Sequence, residues 1–246
     1  MLNFFKKRNK VTDISWLGID IHSHILPGID DGAPNVATAL SFVKAMENLG
    51  FDQLICTPHI YKDLYPNNKD IIYAAKAQLQ KAMDINGLEL KLEAAAEYML
   101  DQDFNNNNDL CAMQEKYLLV EMSYLFESPN ISETLFDVQI KGYQPILAHP
   151  ERYIYYFKDI NRIKKLKEKG CLLQLNLLSI SGYYGKDVKH LAQAFLKDNL
   201  YDFAGSDLHH DKHLEVLTAE VQSGRLYNLL GNYNFKNKVL LENVQS

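Results

Sequence analysis

Residues 16–24 read WLGIDIHSH, an apolar run that ends on two histidines two positions apart. The same ending recurs along the chain. LICTP at 54–58 runs into His59, PILA at 145–148 into His149, and FAGSDL at 203–208 into His209 and His210. Two further runs end on a carboxylate: LELKLEAAAE at Glu97 and YLLVE at Glu121. Six of the chain's 8 histidines therefore close hydrophobic segments. Imidazoles and carboxylates set repeatedly at strand ends are what a multinuclear metal site needs when its ligands come from several strands.

Working outward from these runs, strand-like segments are expected near 17–22, 52–57, 88–96, 117–122, 144–148, 171–176 and 201–205. Between them, 35–49, 70–85, 131–141, 159–169 and 186–198 carry apolar residues at helical spacing, such as Ala39, Phe42, Val43 and Met46. Leu135, Val138 and the Gln139–Ile140 pair mark a second stripe. Gly50, Gly87, Gly142 and Gly170 each follow a helical segment, where a C-terminal cap needs positive φ. Pro34 suits a first helical turn.

Strand–helix alternation implies a parallel sheet, either open or closed. In an open sheet ligands gather at one switch point. Here all but one of the strands deliver a candidate ligand at or just beyond their C-terminal ends, which favours a closed ring. The expected fold is α/β, a distorted seven-stranded TIM-like (β/α)7 barrel. It forms one domain over 18–246, preceded by an N-terminal extension at 1–17.

Composition sets bounds on function. A formal charge of −5 gives no basic face for general nucleic-acid binding. No apolar stretch reaches the roughly 18 residues of a membrane span, so stable membrane insertion is not expected. MLNFFKKRNK has no apolar core behind its basic residues and does not read as a signal peptide. Lys6, Lys7, Arg8 and Lys10 read as a solvated terminus or a weak contact with an anionic surface. Cys56, Cys111 and Cys171 are scattered, which suits a reducing compartment, and the cytoplasm is expected.

His22 and His24 on extended backbone point to the same side, and Asp207 and His209 repeat that geometry. With Asp31 from the GIDDG loop the set becomes five imidazoles (His22, His24, His59, His149, His209) and four carboxylates (Asp31, Glu97, Glu121, Asp207). Four carboxylates in one pocket without cations would repel and take up protons. Nine ligands suit two or three divalent ions. Such a donor set suits manganese, iron and zinc alike. The excess positive charge of three such ions calls for a hydroxide and an anionic substrate, which favours a phosphate ester attacked by an activated water. Arg152, three residues past His149, could clasp a phosphate bidentately or pair on the surface with Glu151 or Asp159.

HSHILPGIDDGAP, ICTPH, AAAEY, LLVEMS, ILAHPERY, QLNLLSISGYYG and AGSDLH resemble, in order from about residue 18 to about 215, the motifs of the bacterial tyrosine-protein phosphatases of the PHP (polymerase and histidinol phosphatase) superfamily. Those enzymes accompany capsule and exopolysaccharide export systems. The resemblance implies a seven-stranded barrel with a trinuclear, manganese-type centre. It also implies hydrolysis of phosphotyrosine on the tail of a partner tyrosine autokinase. It makes the nine residues above the metal ligands and Arg152 the phosphate-binding arginine. One departure stands out: where the family often has a second arginine after the last Asp-x-His, this chain has Leu214. Lys212, His210 or His213 could supply the positive charge instead.

Other chemistries can be weighed on the same residues. A thiol-dependent phosphatase needs Cys followed six positions later by Arg, but those places hold Lys62, Tyr117 and Leu177. Tyr153, Tyr155, Tyr156, Tyr183 and Tyr184 could rim the site or pack half-buried. Lys62 and Lys186 are weaker candidates for phosphate contacts, as Lys212 and His210 are for substrate. A small-molecule phosphomonoesterase of the histidinol-phosphatase kind could use the same centre. A non-catalytic, kinase-docking metal protein is the other alternative, and it would be expected to have lost ligands or Arg152.

Overall fold

The computed structural model describes residues 10–101, 104 and 109–241. The basic head up to residue 9 and the Asn105–Asn108 run lie outside the described residues. All strands pair in parallel. A three-stranded sheet orders β1 (Ile19–Asp20), β2 (Gln53–Cys56) and β4 (Lys91–Ala94). A six-stranded sheet orders β3 (His59–Ile60), β5 (Glu97–Met99), β6 (Tyr117–Glu121), β7 (Gln144–Ala148), β8 (Leu172–Asn176) and β9 (Phe203–Gly205).

Two expected strands are thus each split in two. β2 passes into β3 across Thr57–Pro58, where the proline has no N–H to give to a ladder. β4 passes into β5 across Ala95–Ala96, where the Ala96 N–H turns to the Cys111 carbonyl at 3.0 Å. Pairing nevertheless holds its register through both breaks. Cys56 faces Ala94, His59 faces Glu97, and the Glu97 N–H donates to the Pro58 carbonyl at 3.1 Å.

The helices fall where periodicity puts them: α1 (Val36–Leu49), α2 (Lys69–Ile85), α3 (Ile131–Ile140), α4 (Asn161–Glu168) and α6 (Lys186–Lys197). The four capping glycines all have positive φ. Three further helices were not expected: the short α5 (Leu177–Ser181) and α8 (Arg225–Leu230), and the 12-residue α7 (Asp211–Gln222). Two details are corrected. Pro34 lies just before the helix and not in its first turn: Asn35 caps α1, its side chain accepting from the Thr38 N–H at 3.0 Å. On α3 the buried stripe is Ile131, Thr134, Leu135 and Val138, and Ile140 is exposed.

Period-2 alternation sorts the strand side chains into two layers. Leu54, Leu118, Val120 and Leu147 face the helices, whereas Ile19, Ile55, Leu119, Ile146, Ala148 and Phe203 meet in an inner cluster with Leu172. Leu240, from the 3-10 turn Asn237–Leu240, joins that inner cluster. Ile14 and Leu17 are also buried in the core, so part of the expected extension packs on the domain.

β1 and β9 belong to different sheets but are tied together. The Asp207 N–H donates to the His22 carbonyl at 2.7 Å, the His24 N–H to Leu208 at 2.9 Å, and Ser23 bridges Leu208. Below them the buried Asn237 donates to the carbonyls of Ile19 (2.9 Å) and Ala204 (2.7 Å) and accepts from the Ala204 N–H (3.0 Å). Asn237→Ala strands those backbone groups. It is expected to lower unfolding free energy by about 2–3 kcal/mol, read as a lower urea midpoint with an unchanged m-value.

Candidate metal centre

Residues at or beyond the ends of β6, β7 and β9, with those just past the β2–β3 and β4–β5 breaks, line one cleft of ≈ 430 Å³. His22 and His24 follow β1, His59 opens β3, Glu97 opens β5, and Glu121 ends β6. His149 follows β7, and Asp207 with His209 follows β9. All nine expected ligands come together, in four overlapping groups whose donor atoms lie within 4.8 Å of one another. These are His24, Asp31, His59 and His209; His22, His24 and Asp207; His22, Glu97 and His149; and His59, Glu97 and Glu121.

Glu97 and Asp207 are the hubs. Glu97 Oε2 lies 3.2 Å from His22 Nε2, 3.3 Å from His24 Nε2 and 3.2 Å from His59 Nδ1, and Oε1 lies 3.3 Å from His149 Nε2. Asp207 Oδ1 lies 3.3 Å from His22 Nε2 and 3.5 Å from His24 Nε2. The two Nε2 atoms are themselves 3.2 Å apart. Carboxylate oxygens of both Glu97 and Asp207 therefore crowd the two Nε2 atoms.

Three of the rings are fixed by their other nitrogen. His22 Nδ1 sits 3.0 Å from Gln174 Oε1, His24 Nδ1 2.7 Å from Asp30 Oδ2, and His209 Nδ1 2.9 Å from the Asp207 carbonyl. Oxygen acceptors put the proton on Nδ1 and leave Nε2 a bare lone pair, as metal-ligating histidines require. Two such lone pairs face each other at His22 and His24, and both Glu97 oxygens are buried without a hydrogen-bond donor. Buried acceptors of this kind call for a cation. The donor set therefore fits divalent metal.

The charges agree. Burial opposes a charged His22 ring, but Glu97 and Asp207 outweigh it and hold its pKa at about 9. Burial likewise opposes the Glu97 and Asp207 carboxylates, yet His22 and its neighbours keep both well below the usual range. Asp30, despite burial, is held at about 2 by the His24 ring and the Gly32 N–H.

Arg152 lies in the 3-10 turn Pro150–Arg152 after β7, with its Nη1 donating to Asp207 Oδ2 at 2.7 Å. That pairing replaces the surface partners considered above. Tyr184 and His210 line the cleft. Lys62 and Lys212 are not among the residues lining it. Tyr153 is corrected as a substrate contact: it is fully buried, its hydroxyl donating to the Ala148 carbonyl at 3.0 Å and accepting from the Met122 N–H at 3.0 Å. Tyr156 is core as well. Leu214 packs against the core, and burial with His210 nearby lowers His213 to about 4, so it brings no charge at neutral pH.

Four contributors were missed. Asp30 and Gln174 orient ring nitrogens, Asn176 Nδ2 donates to Asp207 Oδ2 at 2.9 Å, and Tyr124 lines the cleft. The sequence did hold a signal for two of them: Gln174 and Asn176 are polar residues inside the apolar run of β8, the strand that supplies no expected ligand.

Comparison with known proteins places these features in a family. Tyrosine-protein phosphatase YwqE of Bacillus subtilis is 33% identical over 207 residues, 82% of this chain and 81% of that one. The putative tyrosine-protein phosphatase CapC of Staphylococcus aureus is 28% identical over 234 residues, covering 92% and 91%. A crystal structure from work on YwqE and on CpsB of Streptococcus pneumoniae, described as unique metal-dependent tyrosine phosphatases, is similar with a TM-score of 0.78. Its identity is 29%, over 92% of this chain and 94% of that one. The capsular polysaccharide synthesis family CpsB/CapC matches residues 18–223, and the chain belongs to that family.

Proposed function

We propose that this protein is a metal-dependent protein-tyrosine phosphatase acting in capsular or exopolysaccharide synthesis. Its substrate is the phosphotyrosine tail of a bacterial tyrosine autokinase, met in the cytoplasm. The observation that carries the reading is the pair of bare Nε2 atoms of His22 and His24, 3.2 Å apart and sharing Glu97 Oε2, a carboxylate that lines the same cleft as Arg152. The relatives' names supply the substrate class.

The nine residues His22, His24, Asp31, His59, Glu97, Glu121, His149, Asp207 and His209 would hold two or three divalent ions, manganese first. Bound there, such ions supply Lewis acidity toward the phosphoryl group and acidify water at neutral pH. Glu97 and Asp207 each touch several histidines, so they suit shared ligation. Gln174 and Asp30 keep the His22 and His24 lone pairs aimed inward. Arg152 takes the phosphoryl oxygens with the guanidinium edge not held by Asp207. The tyrosyl oxygen, with a solution pKa near ~10, departs more readily than an alkoxide.

The fold reading belongs to the same proposal: one domain over 18–246, a distorted seven-stranded barrel in which β2 with β3, and β4 with β5, each count as one strand. The inner cluster and the ties between β1 and β9 support it. No helix among the described residues is long and apolar enough to cross a membrane.

Chelation should abolish hydrolysis of phosphotyrosine peptides, and manganese should restore it. Metal analysis of the purified protein should then find two or three ions per chain, and a single tetrahedral ion in an anomalous-scattering map would overturn the centre. Arg152→Ala is expected to lower kcat by about two orders of magnitude or more with metal content unchanged, and Arg152→Lys to recover only part of it. Near-native rates in Arg152→Ala would remove the phosphate-binding role.

Burial pushes the thiols of Cys56 and Cys171 up to about 12 and also raises Cys111. Replacing all three by Ala or Ser should leave phosphotyrosine hydrolysis largely intact, apart from packing losses. Inactivation by those changes in a folded, metal-loaded protein would refute the metal mechanism.

A further inference from the structure

Three neighbouring strands deliver an aromatic ring, a guanidinium and a second ring to one spot. The segment after β6 carries Tyr124, the turn after β7 carries Arg152, and the loop after β8 and α5 carries Tyr184. The Arg152 guanidinium carbon stands 4.7 Å from the Tyr124 ring centroid and 4.1 Å from that of Tyr184. Both distances are within cation–π range. Burial raises both phenols above their ordinary pKa, so both rings stay neutral.

The local backbone explains how Tyr184 gets there. Gly182 (φ 95°) ends α5 and Gly185 (φ 100°) precedes α6, so the two tyrosines between them sit on a tight loop. The Tyr184 hydroxyl lies 3.3 Å from Asn176 Nδ2, which also donates to Asp207 Oδ2. Ring, amide and carboxylate are therefore connected around the guanidinium.

We propose that Tyr124 and Tyr184 are positioning residues that clamp Arg152 between their faces and so preorganise it for the phosphoryl group. This rests on Arg152 as the phosphate-binding residue. The hold by Asp207 alone is insufficient, because a carboxylate shared with metal ions attracts a guanidinium less strongly. The rings do not lose their attraction when metal is bound. Each ring also restricts the guanidinium on the side it occupies, while the edges of the planar fork remain the directions of its hydrogen bonds. A phosphate met by a fixed planar fork loses less entropy than one met by a free side chain. Tyr184 is thereby a partner of Arg152 and not a surface for the substrate's phenyl ring.

Inorganic phosphate separates these two roles, because it has no ring. Its inhibition constant is measured on manganese-loaded wild type, Tyr184→Leu, Tyr184→Phe and Tyr124→Leu, with kcat on a phosphotyrosine peptide. Either Leu change is expected to weaken phosphate binding about tenfold, the scale of one partly desolvated cation–π contact. Tyr184→Phe should stay within about twofold, because the ring face remains. In an Arg152→Ala background, Tyr184→Leu should have no further effect on phosphate binding.

Unchanged phosphate inhibition in both Leu variants would overturn the clamp, and so would a full Tyr184→Leu loss persisting without Arg152. A Tyr184→Phe variant as damaged as Tyr184→Leu would also overturn it, since the hydroxyl would then be the working group. If Arg152→Ala itself leaves phosphate binding intact, it is the phosphate-binding reading that fails. Metal content, measured on every variant, identifies any that lost the centre.

Discussion

The site depends on one electrostatic constraint: two imidazole lone pairs and two carboxylate oxygens are aimed at the same few ångströms of low-dielectric space. His22 and His24 cannot relax away, because Gln174 and Asp30 hold their far nitrogens. Glu97 cannot turn to solvent, because it is fully buried. Positive charge must enter. A proton on His22 is the least demanding answer, and its pKa of about 9 reflects that demand. A divalent ion answers it better, since it brings two positive charges and accepts several donors at once.

The backbone bears the cost of this convergence. His149 (φ 35°) and Asp207 (φ 53°) adopt the left-handed conformation without being glycine, a strain of order 1–3 kcal/mol each. Both stand just beyond the ends of β7 and β9, where the chain leaves the sheet. Two glycines permit the matching close approaches. A Cβ on Gly32 would lie 1.8 Å from the His24 carbonyl oxygen, and one on Gly205 would lie 2.7 Å from His22 Cβ. Each presses the GIDDG loop or β9 against the histidine pair of the first strand, and neither approach leaves room for a side chain.

Much of this was legible in the sequence, for a physical reason. Parallel strands point their C-terminal ends one way, so His59, Glu97, Glu121 and His149 at the ends of apolar runs had to meet if those runs were adjacent strands. Other features were not legible because they depend on partners that periodicity does not reveal. Asp30 and Asp31 are chemically alike, and only the folded loop assigns the buried one to His24 Nδ1 and leaves the other exposed. Tyr153 could have rimmed the site or packed half-buried, yet after the 3-10 turn it lies fully in the core, where its hydroxyl joins two backbone groups. The splits at Thr57–Pro58 and Ala95–Ala96 were hidden because the register runs straight through them.

β8 clarifies how the site is partitioned. It contributes none of the nine donors, and from sequence alone it looks like a gap in the ring. In the structure its two polar residues serve the neighbours on either side. Gln174 reaches His22 Nδ1 and the His149 N–H, and Asn176 reaches Asp207 and Tyr184. A strand placed between β7 and β9 can brace both of their ligands at once, which a ligand-bearing side chain in the same position could not do. The geometry of the donors and the geometry of Arg152 thus share a support. A change at Asn176 would disturb Asp207 and the Tyr184 ring together, so the metal-facing and phosphate-facing halves of the cleft are mechanically one unit.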